Sequence, residues 1–148
     1  MAKAKKKSRD RLASIGTKRG GNGAFLFVYG TLMPGETSHH LLKRSQDVEL
    51  VGAARIRGEL YEFRSLDYPG AVPTKRPDRF VNGQLYRLRR PDSTLKILDE
   101  FEGCEEGLFR RSLVDVWLDG GKLKAWTYFY ARPLKHAELV PTGAYRSA

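Results

Sequence analysis

One cysteine, Cys104, stands in the whole chain, so no internal disulfide can form and a four-cysteine zinc site is excluded. That usage suits a reducing compartment, and a cytoplasmic protein is expected. Nowhere do apolar residues run for the roughly 18 positions that a membrane-spanning helix needs, so no membrane partner is expected. The GxGxxG, GxxxxGK[ST] and HExxH patterns of dinucleotide, phosphate-loop and zinc-hydrolase sites are also missing. Histidine is scarce at three residues, and the adjacent His39 and His40 cannot place both rings on one helical face, since ligand pairs need i, i+4 spacing. No metal and no cofactor are expected.

Acid is nearly absent from the first 23 positions, which hold eight basic residues against Asp10 alone. The remaining 19 basic and 16 acidic residues nearly balance, so most of the net charge of +10 belongs to an appendage rather than to a face of the fold. Residues 1–23 therefore read as a basic, disordered tail, and residues 24–148 as the domain. Nucleic-acid contact is expected only weakly and through that tail. The tail lacks the apolar core of a secretory signal, while its acid-poor, Arg-containing character is also that of an organellar transit peptide.

What is present is a globular composition, 41% hydrophobic and 11% aromatic over 148 residues, enough for one domain with a core. "AFLFVYG" at Ala24 to Gly30 is a buried-type strand, too short for a helix and halted by Gly30 and Pro34-Gly35. "TSHHLLKRS" predicts a short helix capped by Thr37 or Ser38, with Leu41 and Leu42 inward. "VELVGAARIRGELYEF" predicts one bent strand or two, with Gly52 and Gly58 at a bulge or bend. A Pro-rich, charged loop is expected from Arg64 to Arg79. "FVNGQLYRL" is a strand, or a tight turn at Asn82-Gly83. "PDSTLKILDEFEGCEEG" predicts a helix with Asp92 or Ser93 as cap; Leu95 and Leu98 lie three apart, Ile97 and Phe101 four apart, and Gly103 holds the left-handed position after the last turn. "RRSLVDVWLDGGKLKAWTYFYA" predicts a hairpin turning at Asp119-Gly120-Gly121, with Val114, Val116 and Leu118 on one face. One or two short helices against five or more strands make an α+β domain whose sheet curls towards a small barrel.

Few residues offer chemistry. Cys104 just past a helix end has no histidine at a spacing that would make a nucleophile, and its plain reading is structural. Asp99, Glu100, Glu102, Glu105 and Glu106 lack the alternating spacing and central glycine of a calcium loop. Glu102 differs from its neighbours, because it ends the helix, where the macrodipole disfavours an anion by ~0.3 to 1 kcal/mol. Partial burial there would raise its pKa into the range of a useful proton shuttle. Asp99 lies a turn earlier, and Glu100 is rotated about 160° from Glu102 at ~100° per residue.

"VYGTLMPG", "GELYEF", "YPG", "LDEFEG", "FRR" and "AWTYFY", in that order, resemble the γ-glutamylcyclotransferase-like family in its AIG2-like and γ-glutamylamine cyclotransferase branch, across Phe25 to Tyr130. The resemblance implies a mixed β-barrel with one or two short flanking helices. It also implies that Tyr29, Gly30, Thr31 and Leu32 bind a small γ-glutamyl substrate and that Glu102 is the catalytic acid/base. The expected reaction turns a γ-glutamyl amine or γ-glutamyl amino acid into 5-oxoproline and a free amine, without cofactor. One departure is visible: Phe109 stands where the family commonly has a tyrosine. The alternative is a non-catalytic small-molecule-binding or interaction protein on the same fold, with Glu102 facing solvent or neutralised by Arg110 or Arg111. The enzyme requires the opposite, that Tyr29 to Leu32 and the Glu102 carboxylate line one small cavity.

Overall fold

The computed structural model describes residues 25–33 and 48–145. The expected helix with Leu41 and Leu42 and the tail of residues 1–23 lie outside the described residues.

The strand β1 (Phe25–Val28) is buried on both faces, because its alternate side chains enter two different cores. Phe25 and Phe27, followed by Tyr29, point into the barrel, whereas Leu26 and Val28 pack with Leu95 and Leu98 of the helix. Fully burying side chains of this size contributes roughly 1.5–3 kcal/mol each, which makes β1 the pivot between the two cores.

Strands β2 (Val48–Arg57), β5 (Phe80–Leu88), β6 (Phe109–Leu118) and β7 (Gly121–Tyr130) complete a closed barrel in the order β1-β5-β2-β6-β7. Closure comes from a parallel contact of β1 with β7 at Leu26 and Trp126, and Thr127 Oγ1 donates to the Phe27 carbonyl at 3.1 Å across that seam. A second sheet of three strands, β4 (Gly70–Val72), β3 (Glu59–Phe63) and β8 (Ala137–Leu139), leans on the barrel. The single helix among the described residues, α1 (Pro91–Phe101), covers the outer face of β1.

The expected α+β barrel is the one observed, and much of its punctuation stands. The β2–β5 register slips between Leu50 and Gly52, where Gly52 takes a positive φ, and Gly58 separates β2 from β3. Asp119 and Gly120, both at positive φ, form a two-residue hairpin turn with Leu118 opposite Gly121. Val116 and Leu118 are buried in the barrel and Val114 packs against them.

Two expectations are corrected, the helix cap and the loop. The helix cap is Arg90, two residues before Asp92 and three before Ser93, and Pro91 is the first helical residue. Ser93 instead donates from Oγ to the Arg90 carbonyl at 3.3 Å. Of the two helical pairs, Leu95 and Leu98 are buried while Ile97 and Phe101 are 59% and 46% exposed, because the barrel wall accepts one stripe of the helix only. The loop expected from Arg64 to Arg79 contains the short strand β4, paired to β3 from Glu59–Val72 to Tyr61–Gly70. Of the two readings of "FVNGQLYRL" the strand is the one observed, with Asn82-Gly83 inside β5.

Candidate active site

Glu102 owes its position to the way α1 stops. Gly103 adopts φ 67°, the Cys104 N–H donates to the Asp99 carbonyl at 3.0 Å, and the Gly103 N–H donates to that of Glu100 at 3.2 Å. This pair of reversed bonds is a Schellman cap, which closes the last carbonyls and leaves Glu102 as the final residue with helical backbone. The Glu102 side chain turns into a cavity of about 370 Å³. Burial disfavours its charged form and pushes its pKa from an ordinary 4.5 to about 7. Burial, rather than the helix dipole, is the dominant cause.

The far wall of the same cavity is the segment after β1. Tyr29, Gly30, Thr31 and Leu32 all line it, although they lie some 70 residues from Glu102. The Met33 N–H donates to the Gly30 carbonyl at 3.0 Å and closes this turn, while the buried Leu32 side chain holds it from below against the α1 core. Pro69 of "YPG" packs on the turn, with its ring carbons 3.2 and 3.3 Å from the point a Cβ on Gly30 would occupy.

The Tyr29 phenol is occupied by the protein itself. Its hydroxyl donates to the Tyr128 carbonyl at 2.6 Å and accepts from the Ala71 N–H at 3.1 Å, so one side chain joins β1, β7 and β4 behind the cavity. Burial first, with the Glu102 charge adding to it, raises its pKa far above the ordinary phenol value. The hydroxyl is a brace at neutral pH and stays protonated. Tyr29→Phe is therefore expected to cost about 1–3 kcal/mol, since it strands the buried Ala71 N–H, and a lowered urea midpoint at unchanged m-value would register it. An unchanged midpoint would rule out the brace.

Asp99 and Glu100, the other carboxylates near the helix end, stand elsewhere. Asp99 is held by Arg111, with Nε at 2.9 Å and a second guanidinium nitrogen at 3.3 Å, and it accepts from the Tyr128 hydroxyl at 2.7 Å. The Arg111 guanidinium also lies 4.4 Å from the centre of the Trp126 ring. Arg111 thus neutralises Asp99 rather than Glu102, and Arg110 is exposed. Glu100 is exposed outside the cavity. Cys104 is likewise outside it, half-buried, with burial as the main influence raising its thiol pKa. Among the described residues no three His, Cys, Asp or Glu side chains are grouped to hold a metal ion. His39 and His40 lie outside the described residues.

The remaining walls were not assigned from sequence, although the quoted motifs contain several of them. Asp67, Tyr68, Pro69 and Tyr128 line the cavity, as do Phe101 at the helix end and Phe109. Phe109 is buried, with the Tyr68 ring tilted against it at 5.8 Å and the Tyr130 ring edge-on at 5.6 Å between ring centres. Its apolar edge closes a wall where a tyrosine would add a hydroxyl. The arrangement can hold a small polar molecule between backbone groups of the Gly30 turn and one proton-exchanging carboxyl.

The family model described as "Gamma-glutamyl cyclotransferase, AIG2-like" matches residues 26–147. The γ-L-glutamyl-butirosin B γ-glutamyl cyclotransferase of Niallia circulans is 36% identical over 112 residues, covering 72% of this chain and 67% of that one. Human γ-glutamylaminecyclotransferase is 31% identical over 101 residues, 64% of this chain and 63% of the human one. The crystal structure of an AIG2-like protein from Mus musculus superposes with a TM-score of 0.70 at 22% identity, covering 83% of this chain and 88% of the mouse chain. Among the described residues no helix is long and apolar enough to cross a membrane.

Proposed function

The chain belongs to the γ-glutamyl cyclotransferase, AIG2-like family, and from that premise we propose that it converts a γ-glutamyl amine or γ-glutamyl amino acid to 5-oxoproline and a free amine, with Glu102 as general acid/base. The observation that carries this reading is the meeting of the Tyr29–Leu32 turn and a carboxyl of pKa about 7 in one cavity.

The substrate supplies its own nucleophile. An α-amine with a pKa near 7.7 to 8.0 is mostly protonated at pH 7 and cannot attack until a base removes a proton. The Glu102 carboxylate takes that proton. The amine nitrogen then bonds to the γ-carbonyl carbon of the same molecule, and the carbonyl oxygen becomes an oxyanion. Backbone N–H groups of the Gly30–Thr31 turn are the proposed partners for that oxyanion or for the α-carboxylate, which explains a binding turn with little side-chain chemistry. When the tetrahedral species collapses, the former amide C–N bond breaks and Glu102 returns its proton to the departing nitrogen; the ring nitrogen gives up its second proton through the same carboxylate to the freed amine, which leaves as an ammonium. No net proton is gained or lost by the protein. Holding amine and carbonyl in contact provides much of the acceleration, since well-oriented intramolecular attack reaches effective molarities of ~10⁵ M or more.

The carboxylate form must be present for the first step. Its population grows as pH rises through about 7, so kcat for 5-oxoproline release should climb from pH 5.5 to 8 and level off as the carboxylate form saturates. A base with an ordinary carboxylate pKa would give a rate already flat above pH 5.5. Release of 5-oxoproline from a panel of γ-glutamyl compounds is the direct test, and its absence across the panel would overturn the reading.

A further inference from the structure

We infer that Asp99 is a positioning residue, which keeps the Arg111 guanidinium away from Glu102 and so leaves the carboxyl in the cavity without a cation beside it. Its consequence for turnover rests on the cyclisation reading. Arg111 stands opposite Tyr128 in the β6–β7 register and two residues beyond Phe109, so the three side chains project from one face of the sheet. Phe109 and Tyr128 are walls of the cavity, but Arg111 is not. Its guanidinium instead meets Asp99 through Nε at 2.9 Å and a second nitrogen at 3.3 Å, with the Trp126 ring beside it. The Tyr128 hydroxyl donates at 2.7 Å to the same Asp99 oxygen as Nε and ties the carboxylate to a cavity wall.

Asp99 and Glu102 lie three residues apart and Glu102 keeps helical backbone, so their side chains are neighbours at the end of α1, about 5–6 Å apart at Cβ. An arginine that reaches the first has the second as its next carboxylate once the first loses its charge. Among the described residues no basic side chain lines the cavity. Arg110 is exposed, and Arg132 donates to the Glu106 carbonyl at 3.1 Å. The other groups around Glu102 cannot stand in for a cation. Burial is the main influence raising the phenols of Tyr29, Tyr68 and Tyr128 and the Cys104 thiol above their ordinary pKa values, so they stay neutral. Asp67 on the cavity wall is itself an acid, and Glu100, Glu105 and Glu106 are exposed. A cation against Glu102 would favour its carboxylate and leave a base too weak to deprotonate an α-amine.

Titration of the Glu102 carboxyl by carbon NMR in the full chain, with the signal assigned through Glu102→Gln, tests the role without a substrate. In Asp99→Asn, which keeps the shape and an acceptor for Tyr128, the Glu102 pKa should fall by about one unit or more. Arg111→Met leaves the Asp99 charge uncompensated one turn from Glu102, and the pKa should rise by about half a unit. The double variant carries neither charge and should return to within about 0.3 of the wild type. Unfolding could mimic only the fall, because a solvated glutamate titrates near its ordinary value; it produces neither the rise nor the return. The rising limb of kcat against pH should move with the carboxyl in each variant. An unmoved Glu102 pKa in Asp99→Asn, a fall that persists in the double variant, or a fall in Arg111→Met would each overturn the positioning role while leaving cyclisation intact. The expected shifts in a protein that releases no 5-oxoproline would overturn cyclisation and leave the positioning role standing.

Discussion

Glu102→Gln is expected to lower kcat for 5-oxoproline release by about 10²- to 10⁴-fold while leaving substrate binding within a few-fold of the wild type. The amide keeps the shape of the side chain and can still donate and accept hydrogen bonds, but it cannot carry a proton from the α-amine to the departing amine. Glu100→Gln provides the comparison, because that carboxylate is exposed outside the cavity, and its rate should stay near wild type. Asp99 is already committed to Arg111 and Tyr128, so it is poorly placed to take over. Wild-type turnover in Glu102→Gln would sink the assignment.

The same substitution has a second signature. The folded-state pKa of Glu102 lies above its unfolded value, so the folded protein holds this proton more tightly between about pH 4.5 and 7. The resulting stabilisation is fully present below 4.5 and is lost as pH rises through 7, where an anion must be kept in a poorly solvated site. Glu102→Gln removes that cost. The variant should melt higher than the wild type at pH 8, and the gap should narrow steadily towards pH 4. A catalytically silent variant that is more stable at alkaline pH separates loss of chemistry from loss of fold.

Gly83→Ala is expected to disrupt the barrel by about 3 kcal/mol or more, a fall in Tm on the order of 10 °C. A Cβ on Gly83 would run into the Val28 carbonyl oxygen, lie 3.0 Å from the Val28 carbonyl carbon and come within 2.8 Å of Phe27 Cζ. The first two are backbone atoms, which cannot swing aside as a flexible side chain could. Phe27 is itself fully buried in the barrel. The strain would fall on the last residues of β1, directly before Tyr29, so activity should suffer with stability. Asn82→Ala one residue earlier is the contrast: Asn82 is exposed and its side chain donates to the Thr142 carbonyl at 3.1 Å, a surface bond worth about 1 kcal/mol. Calorimetric melts of both variants measure the difference, and equal melting points would contradict the packing argument.

The two halves of "FVNGQLYRL" show why some of this was out of reach of the sequence. Asn-Gly is a strong hairpin signal because Asn and Gly both accept positive φ, yet here Gly is used for the close approach of β1 across the sheet. Local pattern reports what a dipeptide tolerates, and only the neighbouring strand decides which tolerance is used. Ile97 and Phe101 carry the same lesson. Their spacing is helical and the helix is there, but whether that flank meets protein or solvent depends on the curvature of the barrel beneath it.

Features set by interactions within a few residues were legible beforehand. Gly103 ends α1 through a left-handed backbone, Asp119-Gly120 turns the β6–β7 hairpin, and Gly52 sits at the bulge, because local sterics are the same in any fold. The place of Glu102 at the helix end follows from that punctuation, and its link with "VYGTL" came from a family resemblance. Tertiary structure decided the rest through space. It brought the turn and Glu102 to one cavity, gave Arg111 to Asp99, turned the Tyr29 hydroxyl into a brace, and added Asp67, Tyr68 and Phe101 to the walls. It also set the acidity of Glu102, since a pKa near 7 arises from the water that surrounding segments exclude, and no stretch of sequence states how much water will be left.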